Sequence, residues 1–277
     1  MTNVQMTNDK LREKIKELTA RAGFELPDDV LGLLKKAYAA ENNKKAKQAL
    51  GWILDNAGIA RKYKLAICQD TGLPVVFVEA SKLSASQIKA IEDGLAAGYQ
   101  AAYLRPSMVD PLKRDRPSYR GSKIQIDFDP AISGIKISLL PKGFGSENKS
   151  QVKMFNPTAS LAAIEDFVVE AVKKAGPEAC PPFVVGVGIG STSDGCLLLA
   201  KKALLGDLGK NNPDKELRNL EQRLLKKINA LNIGPMGLGG KTTALAVKIL
   251  KAPTHIAGLP VGVNISCHAL RKARLIL

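Results

Sequence analysis

The chain has 277 residues, 45% of them hydrophobic and 24% charged, and a formal net charge of +15. That is an ordinary globular composition with material for a sizeable core. No apolar run reaches the roughly 18 residues of a membrane span. The lysines are scattered along helical stretches and aromatic residues make up only 5% of the chain, which argues against a nucleic-acid surface and suits a small anionic substrate.

The leading MTNVQMTNDKLREK has no apolar signal-peptide core, so a cytoplasmic location is expected. Leu11, Ile15 and Leu18 share one helical face, and Asp28 or Asp29 is placed to cap a helix carrying Val30, Leu33, Leu34 and Ala37. Further helices are predicted over residues 43–58 and 85–103. Between them KLAICQDTGLPVVFVEA gives a polar turn at Gln69–Gly72 and a strand through Val75–Val78. LRPSMVDPLKRDRPSYRGSK reads as loop, IQIDF and IKISLL as neighbouring strands, and PKGFGSENKSQ as a glycine-polar loop. TASLAAIEDFVVEAVKKAG predicts a helix ending at Gly176, and FVVGVGIG a buried strand. Helices over about 192–205 and 214–229 follow, then a closing region of loops and strands. The sum is a helix-rich α+β chain with small mixed or antiparallel sheets, a single body and one domain over residues 1–277.

NIGPMGLGGKTTALAVKI, from Asn232, looks at first like a phosphate-binding P-loop. That motif needs a glycine at 235, where Pro235 stands, and a helix afterwards. Thr243, Leu245, Val247 and Ile249 alternate instead, as in a strand. The glycines therefore need a reason other than a nucleotide.

The four cysteines form no C-x-x-C pair. Cys68, Cys180 and Cys267 each lie where an element meets a loop, while Cys196 sits among leucines in an amphipathic helix and reads as core. Three isolated thiolates can hold a [4Fe–4S] cluster by three of its irons, leaving the fourth open as a Lewis acid, although spacing alone does not specify a metal.

ICQDTG, ACPPF, GPMGLGGKTTALAVKI, PTHIAGLPVGVN and SCHALRKA occur in that order. Together they closely resemble the α subunit of class I (iron–sulfur) fumarate hydratase, a family that includes the α subunit of L-tartrate dehydratase. The resemblance runs from about residue 10 to the end. It implies that Cys68, Cys180 and Cys267 are the cluster ligands, that Gln69 and Asp70 contact substrate, that Arg105 binds a substrate carboxylate, and that His255 contacts substrate. Asp70 and His255 are the implied catalytic pair, and Gly145 lies in a glycine-rich loop near the cluster. In place of the family's asparagine-rich stretch after LRPS stands DPLKRDRPSYRGSK, so Arg114, Arg116 and Arg120 compete with Arg105 for the carboxylate. The glycine turn is expected to pack beside the cluster, its N–H groups facing a sulfide or a carboxylate.

Single-chain members of the family continue into a second catalytic domain, whereas here 10 residues follow Cys267. The implied protein is the α half of a hydro-lyase interconverting fumarate and (S)-malate, completed by a β subunit, most simply as α2β2. Its partners would be that subunit and a dicarboxylate, with no nucleic acid or membrane. The alternatives are dehydration of L-tartrate to oxaloacetate and, in another class, a non-catalytic iron-sensing or binding module. The apolar end Leu275-Ile276-Leu277 is expected to pack on the core or under a partner.

Overall fold

The computed structural model describes residues 7–277, so the first part of the segment used to judge a signal peptide lies outside the described residues. In chain order the elements are α1 (Asn8–Phe24), α2 (Asp28–Ala40), α3 (Lys44–Tyr63), β1 (Leu73–Ala80), α4 (Ala85–Ala101), β2 (Lys123–Phe128), β3 (Ile135–Lys142), α5 (Phe144–Glu147), β4 (Gln151–Phe155), α6 (Leu161–Ala175), β5 (Phe183–Ser191), α7 (Ser193–Ala203), α8 (Lys215–Asn229), β6 (Ala244–Thr254), β7 (Leu259–Ser266) and β8 (Ala273–Ile276). Short 3-10 turns occupy Gly176–Ala179 and Pro235–Gly237. The fold is α+β, as expected. Among the described residues no helix is long and apolar enough to cross a membrane.

The helix ends follow local chemistry. Thr7, Ser84, Ser160, Thr192 and Asp214 each accept backbone N–H bonds at a helix start, and Ser84 with Gln87 forms a capping box. Asp28 and Asp29 lie in the first turn of α2, where their charge suits the helix dipole, and the Asp29 carboxylate accepts the Val30 N–H at 2.9 Å. Gly176 ends α6 with φ 54°, a left-handed value that glycine adopts cheaply.

The chain divides into two compact units, with one boundary inside α3. The first comprises the residues up to Pro27, Asn56–Lys142 and Arg271–Leu277. Its sheet has the order β2–β1–β3–β8. β2 runs parallel to β1, and β3 runs antiparallel to β1 on its other side. IQIDF and IKISLL are therefore not neighbours, because β1 lies between them. The burial explains this: β1 is buried along nearly its whole length, as a central strand must be, whereas β2 is half-exposed and suits an edge. α1 lies on α4 where Gly94 and Gly98 remove the side chains; a Cβ on Gly98 would sit 2.7 Å from the Lys16 carbonyl oxygen. The core joins Leu11, Ile15 and Leu18 to Val76, Val78, Ile91 and Leu139. The apolar C-terminus packs within this unit: β8 adds an edge strand to β3, and Leu275 and Leu277 cover the core.

The second unit comprises Asp28–Asp55 and Gly143–Leu270. Its sheet has the order β4–β7–β5–β6, with β5 parallel to β6 and antiparallel to β7. β4 pairs antiparallel with β7 and extends the sheet beyond the expected glycine-polar loop. One face carries Val185, Val187, Val261 and Val263 into a core with Val168, Val172, Leu220 and Leu224 of α6 and α8. Among the alternate residues, on the other face, are Gly186, Gly188 and Gly262. A Cβ on Gly186, Gly188 or Gly262 would meet the backbone of α7 at 2.1, 2.0 or 2.8 Å. The glycines of FVVGVGIG thus let a helix rest directly on the sheet.

Candidate active site

In the first unit, Cys68, Gln69 and Asp70 form the turn that leads into β1. Cys68 and Gln69 are exposed, and Thr71 is buried. The Asp70 carboxylate oxygen Oδ1 accepts the Gly72 N–H at 3.1 Å, which closes the turn. The turn is held from three sides. The Tyr99 hydroxyl of α4 reaches the carbonyls of Thr71 and Gly72 at 3.1 and 2.9 Å. Arg271 Nη2 donates to the Asp70 carbonyl at 2.8 Å. The Arg105 N–H donates to Thr71 Oγ1 at 3.1 Å. Gly72, at φ 80°, lies against the Pro141–Lys142 backbone, where a Cβ would approach to 2.8 Å. Burial pushes the Tyr99 phenol well above its ordinary pKa, with the Arg271 charge lowering it and the Asp70 charge raising it by smaller amounts. The hydroxyl therefore stays protonated, and able to donate, at neutral pH.

The same bonds bear on the competing arginines. The backbone of Arg105 is tied to the turn and its side chain is exposed. Arg120 pairs with Asp93 at 2.8 Å, while Arg114 and Arg116 stand exposed on the intervening loop. Arg105 is the arginine of this group that is bonded to the cysteine turn.

In the second unit, Cys180 and Cys267 meet at one end of the sheet. β5 begins at Phe183, β7 ends at Ser266, and Val184 pairs with Ser266. Cys180 has φ 54° and ψ 68°, and its N–H donates to the Pro177 carbonyl. Its carbonyl faces the His268 N–H at 3.2 Å and Nδ1 at 3.1 Å. His268 thus clamps the segment after Cys267 to the residue Cys180 itself. Cys196 lies within α7 on its fully buried face, where burial raises its thiol pKa, as a core residue should show.

The glycine turn sits at this end. Met236 N–H donates to the Pro181 carbonyl at 2.8 Å, and a Cβ on Gly237 would meet Pro177 at 2.4 Å. Gly234, Gly237, Gly239 and Gly240 all have positive φ, and a Cβ on Gly234 would lie 1.6 Å from the Gly239 carbonyl oxygen. The glycines close a tight loop against the Cys180 segment. Lys241 belongs to the architecture: its N–H bonds Glu41 at 2.7 Å and its Nζ bonds the last carbonyl of α2, Ala40, at 2.9 Å.

Gly145 lies in α5, beside the 3-10 turn that precedes Cys180; its nearest Cβ contact is the Glu178 carbonyl oxygen at 3.9 Å. Lys149 pairs with Glu178, and Glu147 binds both Lys201 and Asn264. The glycine-polar loop is thereby pinned to the cysteine end. His255 is not. It lies in the β6–β7 connection, exposed, with its Nδ1 accepting the Ala257 N–H at 3.1 Å. β7 runs 8 residues from that end to Ser266, so His255 stands roughly 25 Å from the cysteines at about 3.3 Å per residue.

The structure thus joins Cys180, Cys267 and Gly145 in one unit, and Cys68, Gln69, Asp70 and Arg105 in the other. Among the described residues no group of three or more His, Cys, Asp or Glu side chains is arranged to hold a metal ion. The Cys180 and Cys267 segments are held together by the His268 N–H and imidazole on the Cys180 carbonyl, and the Cys68 segment is held within its own unit by the Arg271 guanidinium; thiols of this kind, outside any disulfide, are the donors an iron–sulfur cluster takes. Sequence reasoning missed Tyr99, His268 and Arg271. The last two lie within SCHALRKA, where only the cysteine was weighed.

A family model described as Fumarate hydratase (Fumerase) matches residues 12–276. Among curated proteins, the chain is 43% identical over 274 residues to the "Putative L(+)-tartrate dehydratase subunit alpha" of Methanocaldococcus jannaschii, covering 95% of this chain and 96% of that one. It is 29% identical over 287 residues to the "L(+)-tartrate dehydratase subunit alpha" of Escherichia coli, covering 100% and 93%. With cysteine-bearing segments anchored by their own backbones and a match that spans nearly every residue, the chain belongs to the fumarate hydratase (Fumerase) family.

Proposed function

We propose that this chain is the cluster-bearing α subunit of a hydro-lyase that interconverts (S)-malate and fumarate with the help of a β subunit. The observation that carries the reading is the meeting of Cys180 and Cys267 at one sheet end, through His268, in a chain matched to the family over residues 12–276. Cys68, Cys180 and Cys267 would hold a [4Fe–4S] cluster by three irons, which when bound supplies a Lewis acid for the departing hydroxyl.

The remaining work falls to protein groups. Dehydration removes a proton from the carbon beside one carboxylate and a hydroxyl from its neighbour. Asp70, its carboxylate oriented by the Gly72 N–H, is assigned to moving a proton. Arg105 offers a guanidinium fork to a carboxylate, and Gln69 and Gly145 line the substrate. The formal charge of +15 favours the approach of a dianion. His255 stands at the end of its own sheet away from Cys180 and Cys267, so in this reading it serves the site of a second copy. Two α chains are then needed, which fits α2β2 with closed two-fold symmetry.

A second reading is dehydration of L-tartrate, favoured by the names of both relatives. The test is the anaerobically purified chain, reconstituted with iron and sulfide and combined with its β subunit, assayed on (S)-malate and on L-tartrate. Turnover of malate and not tartrate supports the first reading, and the reverse supports the second. Iron uptake with no turnover of either would leave a non-catalytic module.

A further inference from the structure

Arg271 heads the large side chains that are fully buried, with 2% of its surface exposed. One of its nitrogens, Nη2, donates to the Asp70 carbonyl at 2.8 Å, while Nε and Nη1 have no hydrogen-bond partner. A buried guanidinium with two unpaired nitrogens is costly, and an apolar side chain of the same shape would serve a core better. The charge is retained at a position where it grips one backbone atom. The next two carbonyls, of Thr71 and Gly72, are taken by the buried Tyr99 hydroxyl. Three consecutive carbonyls of the Cys68 turn are therefore held by two buried side chains, from α4 and from the segment before β8.

We propose that Arg271 is a positioning residue: it fixes the Asp70 carbonyl, and with it the backbone carrying Cys68, Gln69 and Asp70, before cluster or substrate binds. Its consequence for turnover rests on the proposed function, but the rigidity of the turn does not. Lysine would keep the charge and reach one carbonyl with a longer, flexible stem. Methionine would keep the volume and lose the bond.

The test uses the full chain carrying Arg271→Met or Arg271→Lys, with three readouts. These are hydrogen exchange of the 69–72 amides in the cluster-free chain, thermal melting, and iron uptake with turnover alongside the β subunit. Arg271→Met should melt no lower than the wild type, exchange at least tenfold faster at the turn with β5 unchanged, and lose at least tenfold in kcat with KM changed less. Arg271→Lys should recover part of both losses. Unchanged exchange at the turn in Arg271→Met would overturn the role, and so would a uniform rise across the whole chain with a lowered melting point, which marks a fold residue. If Arg271→Met does not fold, the local exchange of Arg271→Lys decides between the same outcomes. A wild-type chain that takes up no iron, with the turn still loosened by Arg271→Met, would sink the proposed function and support the positioning role.

Discussion

Replacing Gly188 by alanine adds one methyl group where α7 already touches the sheet. The new Cβ would lie 2.0 Å from the Cys196 carbonyl oxygen, 2.7 Å from the Ala200 nitrogen and 2.8 Å from Leu199 Cβ. Ordinary contact begins near 3.4 Å, so the first of these falls short by 1.4 Å (3.4 minus 2.0). Two of the three obstacles are backbone atoms of a helix, which no rotamer change can move. The helix must therefore lift as a body, and Gly186 and Gly262 hold it to the same floor. Lifting it strips contact from Cys196 and Ala200, both fully buried.

Overpacking of this kind costs about 3 kcal/mol, the upper end of the usual range, because the surroundings cannot yield. At roughly 2–4 °C per kcal/mol for a chain of this size, the melting point should fall by about 6–12 °C. Gly58→Ala is the control. It lies in α3 with nothing within 4 Å of an added Cβ, and it should leave stability equal or raise it by up to about 1 kcal/mol. Calorimetry or circular-dichroism melting of the two variants reads the difference. A Gly188→Ala protein that melts within about 1 °C of the wild type would show that α7 does not rest on the glycine floor.

Serine at Cys68, Cys180 or Cys267 should abolish iron binding and visible absorption after anaerobic reconstitution, whereas Cys196→Ser should keep both; equal loss in all four would break the ligand assignment. Asp70→Asn should lower kcat by roughly 100-fold or more, and wild-type kinetics would remove it from the proton path. Because burial raises the Tyr99 pKa in the folded state, its contribution is complete below the ordinary value of 10.0 and is lost as pH rises beyond it. Urea unfolding should show that alkaline decline, and Tyr99→Phe should flatten it. Mixed assemblies of Cys180→Ser and His255→Asn chains should regain activity that neither has alone, because one intact site can form from two copies; no regain would return His255 to its own chain's site or remove it from the mechanism.

Much of this was legible in the sequence because the signals were local. Alternation named β6, the leucines around Cys196 named a core helix, and Pro235 excluded a P-loop. What escaped depends on contacts far apart in the chain. That β1 separates β2 from β3 follows from burial on both of its faces, which no short window displays. Gly186 and Gly188 looked like a plain buried strand, since the helix that requires them begins after the strand has ended. QVKMF alternates weakly, with three exposed residues, so it gives no strand signal of its own. Arg271 stood within a quoted motif, but a guanidinium is ordinarily a surface group, and only its distant bond to Asp70 shows otherwise.

The position of His255 bears on why such a protein would be assembled from several chains. Strands β5 and β7 run in opposite directions, so the start of one and the end of the other bring Cys180 and Cys267 together without any long loop. The same antiparallel pairing sends the β6–β7 connection, with His255, to the opposite end. No rotamer or loop shift of ordinary size crosses a distance of roughly eight strand residues. If His255 acts on substrate at the cysteines, it does so across a contact between two copies, and a single α chain cannot be complete even before a β subunit is added. The fold then makes oligomerisation a condition of the chemistry.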